Sequence, residues 1–153
     1  YATRNIQDID KVSELLEQLP SFCEDYFIGI ESRTSPQTRL KYAYDLRIFF
    51  DFLCKKKFRN LDILDLSIEE LKAVTHFDIE LFLSYLSHYR FNGKHLSCDE
   101  RAKARKLSAV RAFFKYFFNN SIFTIIAYFY EKSNSSVRHN LSESKPKITV
   151  LWN

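Results

Sequence analysis

The sequence predicts an all-α fold: a four-helix bundle over about residues 35–118, with one or two extra helices in front and an irregular tail behind. Three observations predict it. Only two Gly and three Pro punctuate 153 residues, whereas sheet proteins turn often and usually need more of both. Apolar residues recur at helical spacing in every long segment. Helix-start signals, a Ser-Pro step and three capping boxes, precede those segments. Fifteen Phe and nine Tyr, within a chain that is 46% hydrophobic, supply the bulk for a core.

Asp8 to Leu19 reads as an amphipathic helix with Val12, Leu15, Leu16 and Leu19 on one face. A short helix is expected from Pro20 to about Glu31, carrying Phe22, Tyr26, Phe27 and Ile30, because proline is tolerated in a first helical turn. Ser35-Pro36 opens a helix expected to reach Lys57, with Tyr42, Leu46, Phe49, Phe50 and Leu53 on its apolar stripe. Lys55, Lys56 and Lys57 suit the negative end of its dipole. Ser67 to Glu70 is a capping box before a short turn. Thr75 to Asp78 is another, before a helix to about His88 with Ile79, Phe82, Leu83 and Leu86 inward. Tyr89 to Leu96 reads as a loop containing Gly93. Ser97 to Glu100 is a third capping box, starting a helix to about Phe118 that buries Leu107, Val110, Phe114 and Phe117. Beyond Asn120 an apolar, aromatic stretch gives way to a Ser/Asn-rich linker, and Ile148 to Trp152 is read as a short strand or as disordered.

No apolar run approaches the roughly 18 residues a membrane span needs, and no signal peptide is visible. The chain begins at Tyr1 and contains no Met, so the true start is expected to be missing. Cys23, Cys54 and Cys98 form an odd, scattered set without a CxxC pair; the expected home is a reducing cytoplasm.

The net charge of +4 is less informative than its distribution. Residues 1–31 carry two basic and seven acidic side chains, and residues 61–86 one basic and six acidic. Residues 33–59 carry eight basic and two acidic, and residues 99–118 six basic and two acidic. Alternating acidic and basic segments suit a folded domain with one basic face, the footprint of a nucleic-acid binder; pairing between helices is the competing explanation.

On the last helix Arg101, Arg105, Ser108, Ala112 and Lys115 share a stripe roughly opposite the buried one, flanked by Lys106 and Arg111. Small residues between cations let a helix approach a sugar–phosphate backbone, where Arg and Lys bind phosphate oxygens or guanine edges. The helix from Ser35 repeats the arrangement with Lys41, Tyr44, Arg47 and Lys55, while Ser35, Gln37 and Thr38 surround its amino end, where free N–H groups favour anions. For either helix alone, a solvated face is the plainer alternative.

These residues carry a resemblance. Ser35-x-x-Thr38-x-x-x-Tyr42-x-x-Asp45-Leu46, followed by Phe49, Phe52 and Leu53, resembles the opening helix of the core-binding (SAM-like) domain of tyrosine recombinases of the phage-integrase and Xer-like type. Thr75-x-x-Asp78-Ile79-x-x-Phe82-Leu83-x-x-Leu86 is similar to that domain's third helix. Arg105-Lys106-Leu107-Ser108-Ala109-Val110-Arg111-x-Phe113-Phe114-x-Tyr116-Phe117 is similar to its last. The resemblance covers about residues 32–120, leaving 1–31 as a helical extension and 121–153 as a divergent tail. It implies a domain that clamps one side of duplex DNA at a recombination site, with duplex DNA and other protomers as partners and no cofactor, membrane or small-molecule substrate. In the family a separate domain supplies the catalytic Arg, Lys, His and Tyr; that set is absent from this sequence, so no strand cleavage is expected. The tail departs from the family's linker, with Ile125 to Tyr130 in its place and only a faint echo in Lys145-Pro146-Lys147; truncation or a frame change after about Thr124 would account for it.

Other chemistries are weaker. Tyr128 and Tyr130 lack a cationic cluster to stabilise a phosphoryl group, Arg138 and His139 being adjacent rather than in His-x-x-Arg order. His88, His95 and Cys98 give at most three zinc ligands without a second Cys pair. Glu69-Glu70 and Asp99-Glu100 sit in first helical turns, where carboxylates favour the dipole. Two other classes stay open. A helical adaptor or regulator of recombination needs an exposed apolar patch, for which Phe91, Phe123 or Tyr128 is available. A helix-turn-helix regulator needs a tight turn where Tyr89 to Ser97 stands.

Overall fold

The computed structural model describes residues 2–118. Within them the chain forms six α-helices and one small hairpin: α1 (Ala2–Leu16), α2 (Phe22–Gly29), α3 (Pro36–Lys56), α4 (Ile68–Lys72), α5 (His76–Tyr85), β1 (Tyr89–Phe91), β2 (Lys94–Leu96) and α6 (Glu100–Phe117). The all-α expectation holds, and no described helix is long and apolar enough to cross a membrane. The expected features of residues 121–153 lie outside the described residues.

Helix α3 is the axis of the molecule. Its start is as expected: the Ser35 Oγ accepts from the Thr38 N–H at 3.1 Å and Pro36 occupies the first turn. Its burial is wider than one stripe. Ala43, Leu46, Ile48, Phe49, Phe50, Phe52 and Leu53 are all buried, because α1 and α6 both pack on it and α5 adds Phe82, whose ring lies 5.1 Å from Phe49 and 5.2 Å from Phe52. Helix α6 meets it through Phe113 against Phe50 at 5.5 Å and Phe114 against Phe49 at 6.0 Å. The expected packing of the α6 stripe on α3 is present for Leu107, Val110 and Phe114, whereas Phe117, expected inside, and Tyr42 of the α3 stripe are only half-buried. Phe113, outside the α6 stripe, is that helix's most enclosed ring.

The helices expected as an amino-terminal extension share this core. Val12, Leu15, Leu19, Phe22, Cys23, Tyr26, Phe27 and Ile30 belong to the same buried cluster as α3 and α6. Helix α1 begins six residues before the expected Asp8, since nothing in the preceding residues breaks a helix; its exposed Ile6 and Ile9 show that the early turn gains little from the core. Gly29, the last residue of α2, is required by contact with α6. A methyl group at Gly29 would collide with the Tyr116 ring, and the Tyr116 hydroxyl donates to the Asp25 carbonyl at 3.2 Å. Arg39 is buried and still satisfied, its guanidinium donating to the carbonyls of Glu31 (3.1 Å) and Thr34 (2.6 Å).

Both inner capping boxes form as read, Ser67 with Glu70 and Thr75 with Asp78. Burial pushes the Asp78 carboxyl upward, but hydrogen bonds from Thr75 and the Lys57 ammonium at 2.9 Å outweigh it and hold the carboxyl below its usual range. Two expectations need correction. The segment Tyr89–Leu96 is a β-hairpin, not a loop: Asn92 (φ 49°) and Gly93 (φ 73°) form its two-residue turn, the left-handed pair that an Asn-Gly step favours. The cap of α6 is Asp99, not Ser97: the Asp99 carboxylate accepts from the Ala102 N–H at 2.8 Å. The Cys98 N–H is used on the Leu86 carbonyl at 2.8 Å, outside the helix, which starts two residues later than expected.

Candidate nucleic-acid interface

Helix α6 separates its two faces. Leu107, Ala109, Val110, Phe113 and Phe114 are buried, while Arg101, Arg105, Ser108 and Lys115 are exposed. The exposed stripe runs along the seam with α3. At one point the Arg105 guanidinium comes within 3.5 Å of Asp45. At another, Ala112 and Lys115 border the same cleft as Tyr42. Lys41, exposed, lies one helical turn before Asp45 and so adjoins this stripe.

Lys106 does not flank the stripe as expected. It is 5% exposed, and its ammonium is held by the Asp45 carboxylate at 2.7 Å inside the joint between α3 and α6. The reason is positional: residue 106 lies one turn before Ala109 and Val110, on the inward side of the helix. Its charge is spent on Asp45, itself buried. Arg105 reaches the same carboxylate only at its outer edge, with more than half of its side chain in solvent. Arg111 is half-buried, and that burial lowers its pKa. Lys103, not singled out in the sequence, is tied to Ser87 at 2.7 Å and Glu100 at 3.2 Å.

The α3 residues divide similarly. Gln37, Lys41 and Tyr44 are exposed. Ser35 and Thr38 are largely committed to each other: their hydroxyls bond at 2.9 Å besides the capping bond, leaving less free donor capacity at the helix start. Arg47 is half-buried and turns toward the hairpin, its guanidinium 5.1 Å from the Phe91 ring centroid. That stacking also covers the Phe91 face considered for an apolar contact. Lys55 is bound by Asp51 at 2.6 Å and donates to the Arg90 carbonyl at 3.0 Å, so it anchors the hairpin.

Sequence reading missed the hairpin's own polar cluster. The Arg90 Nε donates to the His95 Nε2 at 2.9 Å, and His88 stacks on His95 at 5.5 Å. Among the described residues no group of three or more His, Cys, Asp or Glu is placed to hold a metal. The Asn92-Gly93 step was the available signal for this hairpin.

The architecture is a helical bundle with a cation-bearing helix laid along its central one. Comparison with known proteins identifies its class. Residues 22–120 match the family model described as "Phage integrase, N-terminal SAM-like domain". The chain is 33% identical over 141 residues to a tyrosine recombinase XerC of Caldanaerobacter subterraneus subsp. tengcongensis, covering 83% of this chain and 38% of that protein. It is 34% identical over 89 residues to the tyrosine recombinase XerC of Leptospira interrogans serogroup Icterohaemorrhagiae, in serovars copenhageni and Lai, covering 58% of this chain and 23% of each relative. No solved structure matches. The chain belongs to the phage-integrase amino-terminal SAM-like family of tyrosine recombinases. It spans less than half the length of these relatives, and the match does not reach the remainder of their chains.

Proposed function

We propose that this chain is the DNA-gripping domain of a site-specific tyrosine recombinase and holds duplex DNA along the α6–α3 seam. The observation that carries the reading is the two-faced α6: Arg101, Arg105 and Lys115 stand in solvent with Ser108 and Ala112 between them, while the opposite face packs the core. Exposed cations separated by small side chains can meet a phosphate backbone closely. Lys41, Gln37 and Tyr44 extend the contact from α3. Ser35, Thr38, Arg47 and Arg111, more engaged within the fold, are left with supporting contacts. Lys106 acts indirectly, by fixing α6 on α3. Other recombinase protomers bound to the same duplex are the protein partners this reading implies.

Affinity for duplex should fall steeply as salt rises, because each neutralised phosphate releases condensed counterions. Titration of a fluorescent duplex at two salt concentrations tests this. Binding at low salt that weakens sharply at high salt is expected; no binding at low salt, or no salt dependence, contradicts the reading. On this reading these 153 residues do not carry the family's catalytic Arg, His and Tyr set, so the same mixtures should yield no covalent protein–DNA adduct. An adduct that survives denaturation would refute that part of it.

A further inference from the structure

One surface cleft outside the stripe gathers cations and hydroxyls. It opens between the turn that follows α2, the start of α3 and the end of α6, and encloses about 520 Å³. Arg33, Thr34, Tyr42, Lys115 and Tyr116 line it, with Tyr26 beneath. No carboxylate is among its lining residues in the described part of the chain. Nor do Arg33 and Lys115 have an ion-pair partner among the described residues. Two unpaired cations without an opposing acid leave a local excess of positive charge.

The second observation is independent of charge. Tyr26 has no exposed surface, yet among the described residues its hydroxyl has no hydrogen-bond partner, and such a buried donor is costly. Its ring is packed among Phe27, Phe113 and Tyr116, and it is one of the residues that line the cleft. Burial raises its pKa, so it stays a neutral hydroxyl donor. An unfilled donor thus sits under a cationic cleft whose volume admits a phosphodiester with its flanking sugars.

We infer that this cleft is a phosphate-binding subsite, seating a backbone phosphate of the duplex at the Lys115 end of the α6 stripe. The inference rests on the proposed DNA-binding reading. Arg33 and Lys115 supply the counter-charge and Tyr42 a hydroxyl donor. Tyr26 is relieved of its orphaned state when the anion settles against it.

The test uses the whole chain as wild type, Arg33→Gln and Tyr26→Phe, with two probes: inorganic phosphate and a fluorescent duplex. Phosphate should raise the melting temperature of wild type above that in chloride at equal ionic strength, since a ligand that binds only the folded state stabilises it. In chloride Arg33→Gln should melt like wild type and Tyr26→Phe at or above it, since the orphaned hydroxyl is gone; both should lose most of that rise. Arg33→Gln should also weaken duplex binding several-fold and flatten its salt dependence by about one contact. Should Arg33→Gln lose structure, Lys115→Gln serves the same purpose. Equal duplex affinity in wild type and Arg33→Gln, with Arg105→Ala weakened, overturns the subsite and leaves the stripe reading standing. Protection by phosphate alone, with duplex affinity unchanged in Arg33→Gln, assigns the cleft to free phosphate and overturns its role on DNA. A wild type that binds no duplex defeats both readings together.

Discussion

Lys106→Ala should destabilise the fold by about 3–5 kcal/mol, the usual cost of stranding a buried charge. The substitution leaves the Asp45 carboxylate inside the α3–α6 joint with only the distant edge of Arg105, at 3.5 Å, to offset it. One Asp45 oxygen already lacks a hydrogen-bond partner among the described residues, so the pair has little reserve. Asp45→Ala should cost a similar amount by stranding the ammonium. Replacing both with apolar residues of like volume, Asp45→Leu with Lys106→Met, should recover most of the loss, because the desolvation penalty disappears along with the attraction. Urea denaturation of the two single variants and the double variant reads this directly. Single variants within about 1 kcal/mol of wild type would place the pair at a solvated surface instead.

Phe113→Ala should have an effect of the same size, again about 3–5 kcal/mol. Its ring is fully buried and meets Phe22 at 5.6 Å, Tyr26 at 5.2 Å, Phe50 at 5.5 Å and Phe117 at 5.0 Å. It therefore joins α2, α3 and α6 at one point, and removing it opens a cavity that three helices cannot all close. Phe77→Ala, on an exposed face of α5, should stay within about 0.5 kcal/mol of wild type. Thermal melts of both variants distinguish these effects, and a Phe113→Ala melt as stable as that of Phe77→Ala would reject this core.

The helices were readable in the sequence because local chemistry defines them. Ser35-Pro36, Ser67 with Glu70 and Thr75 with Asp78 each specify a helix start through bonds a few residues long, and each forms. The stripe of Leu107, Val110 and Phe114 is legible for the same reason. Periodicity falters where burial is not one-sided: α3 is enclosed from several directions, so one stripe understates which of its residues are inside. Periodicity places Lys106 on the inward side, one turn before Ala109 and Val110, but cannot show the partner that lets a cation be buried there, Asp45, 61 positions away in the chain. The hairpin was missed although its Asn92-Gly93 step is a strong turn signal, because three-residue strands are too short to show alternation. The cleft under Tyr116 arises wholly from packing: Arg33, Tyr42 and Lys115 have no motif in common, and only the folded chain brings them together.

Duplex affinity of Arg101→Ala and Arg105→Ala, measured at low and high salt beside the control Lys72→Ala, tests the α6 stripe most directly. Arg101 and Arg105 are exposed, and Arg105 adds little to Asp45 beyond what Lys106 supplies, so all three variants should melt close to wild type. Lys72 is an equally exposed cation set among the acidic residues 61–86, paired with Glu69 at 2.8 Å. Weaker binding is expected for Arg101→Ala and Arg105→Ala, each with a salt slope reduced by about one, and wild-type binding for Lys72→Ala. Equal affinity in wild type, Arg101→Ala and Arg105→Ala at low salt, with all of them folded, would contradict it.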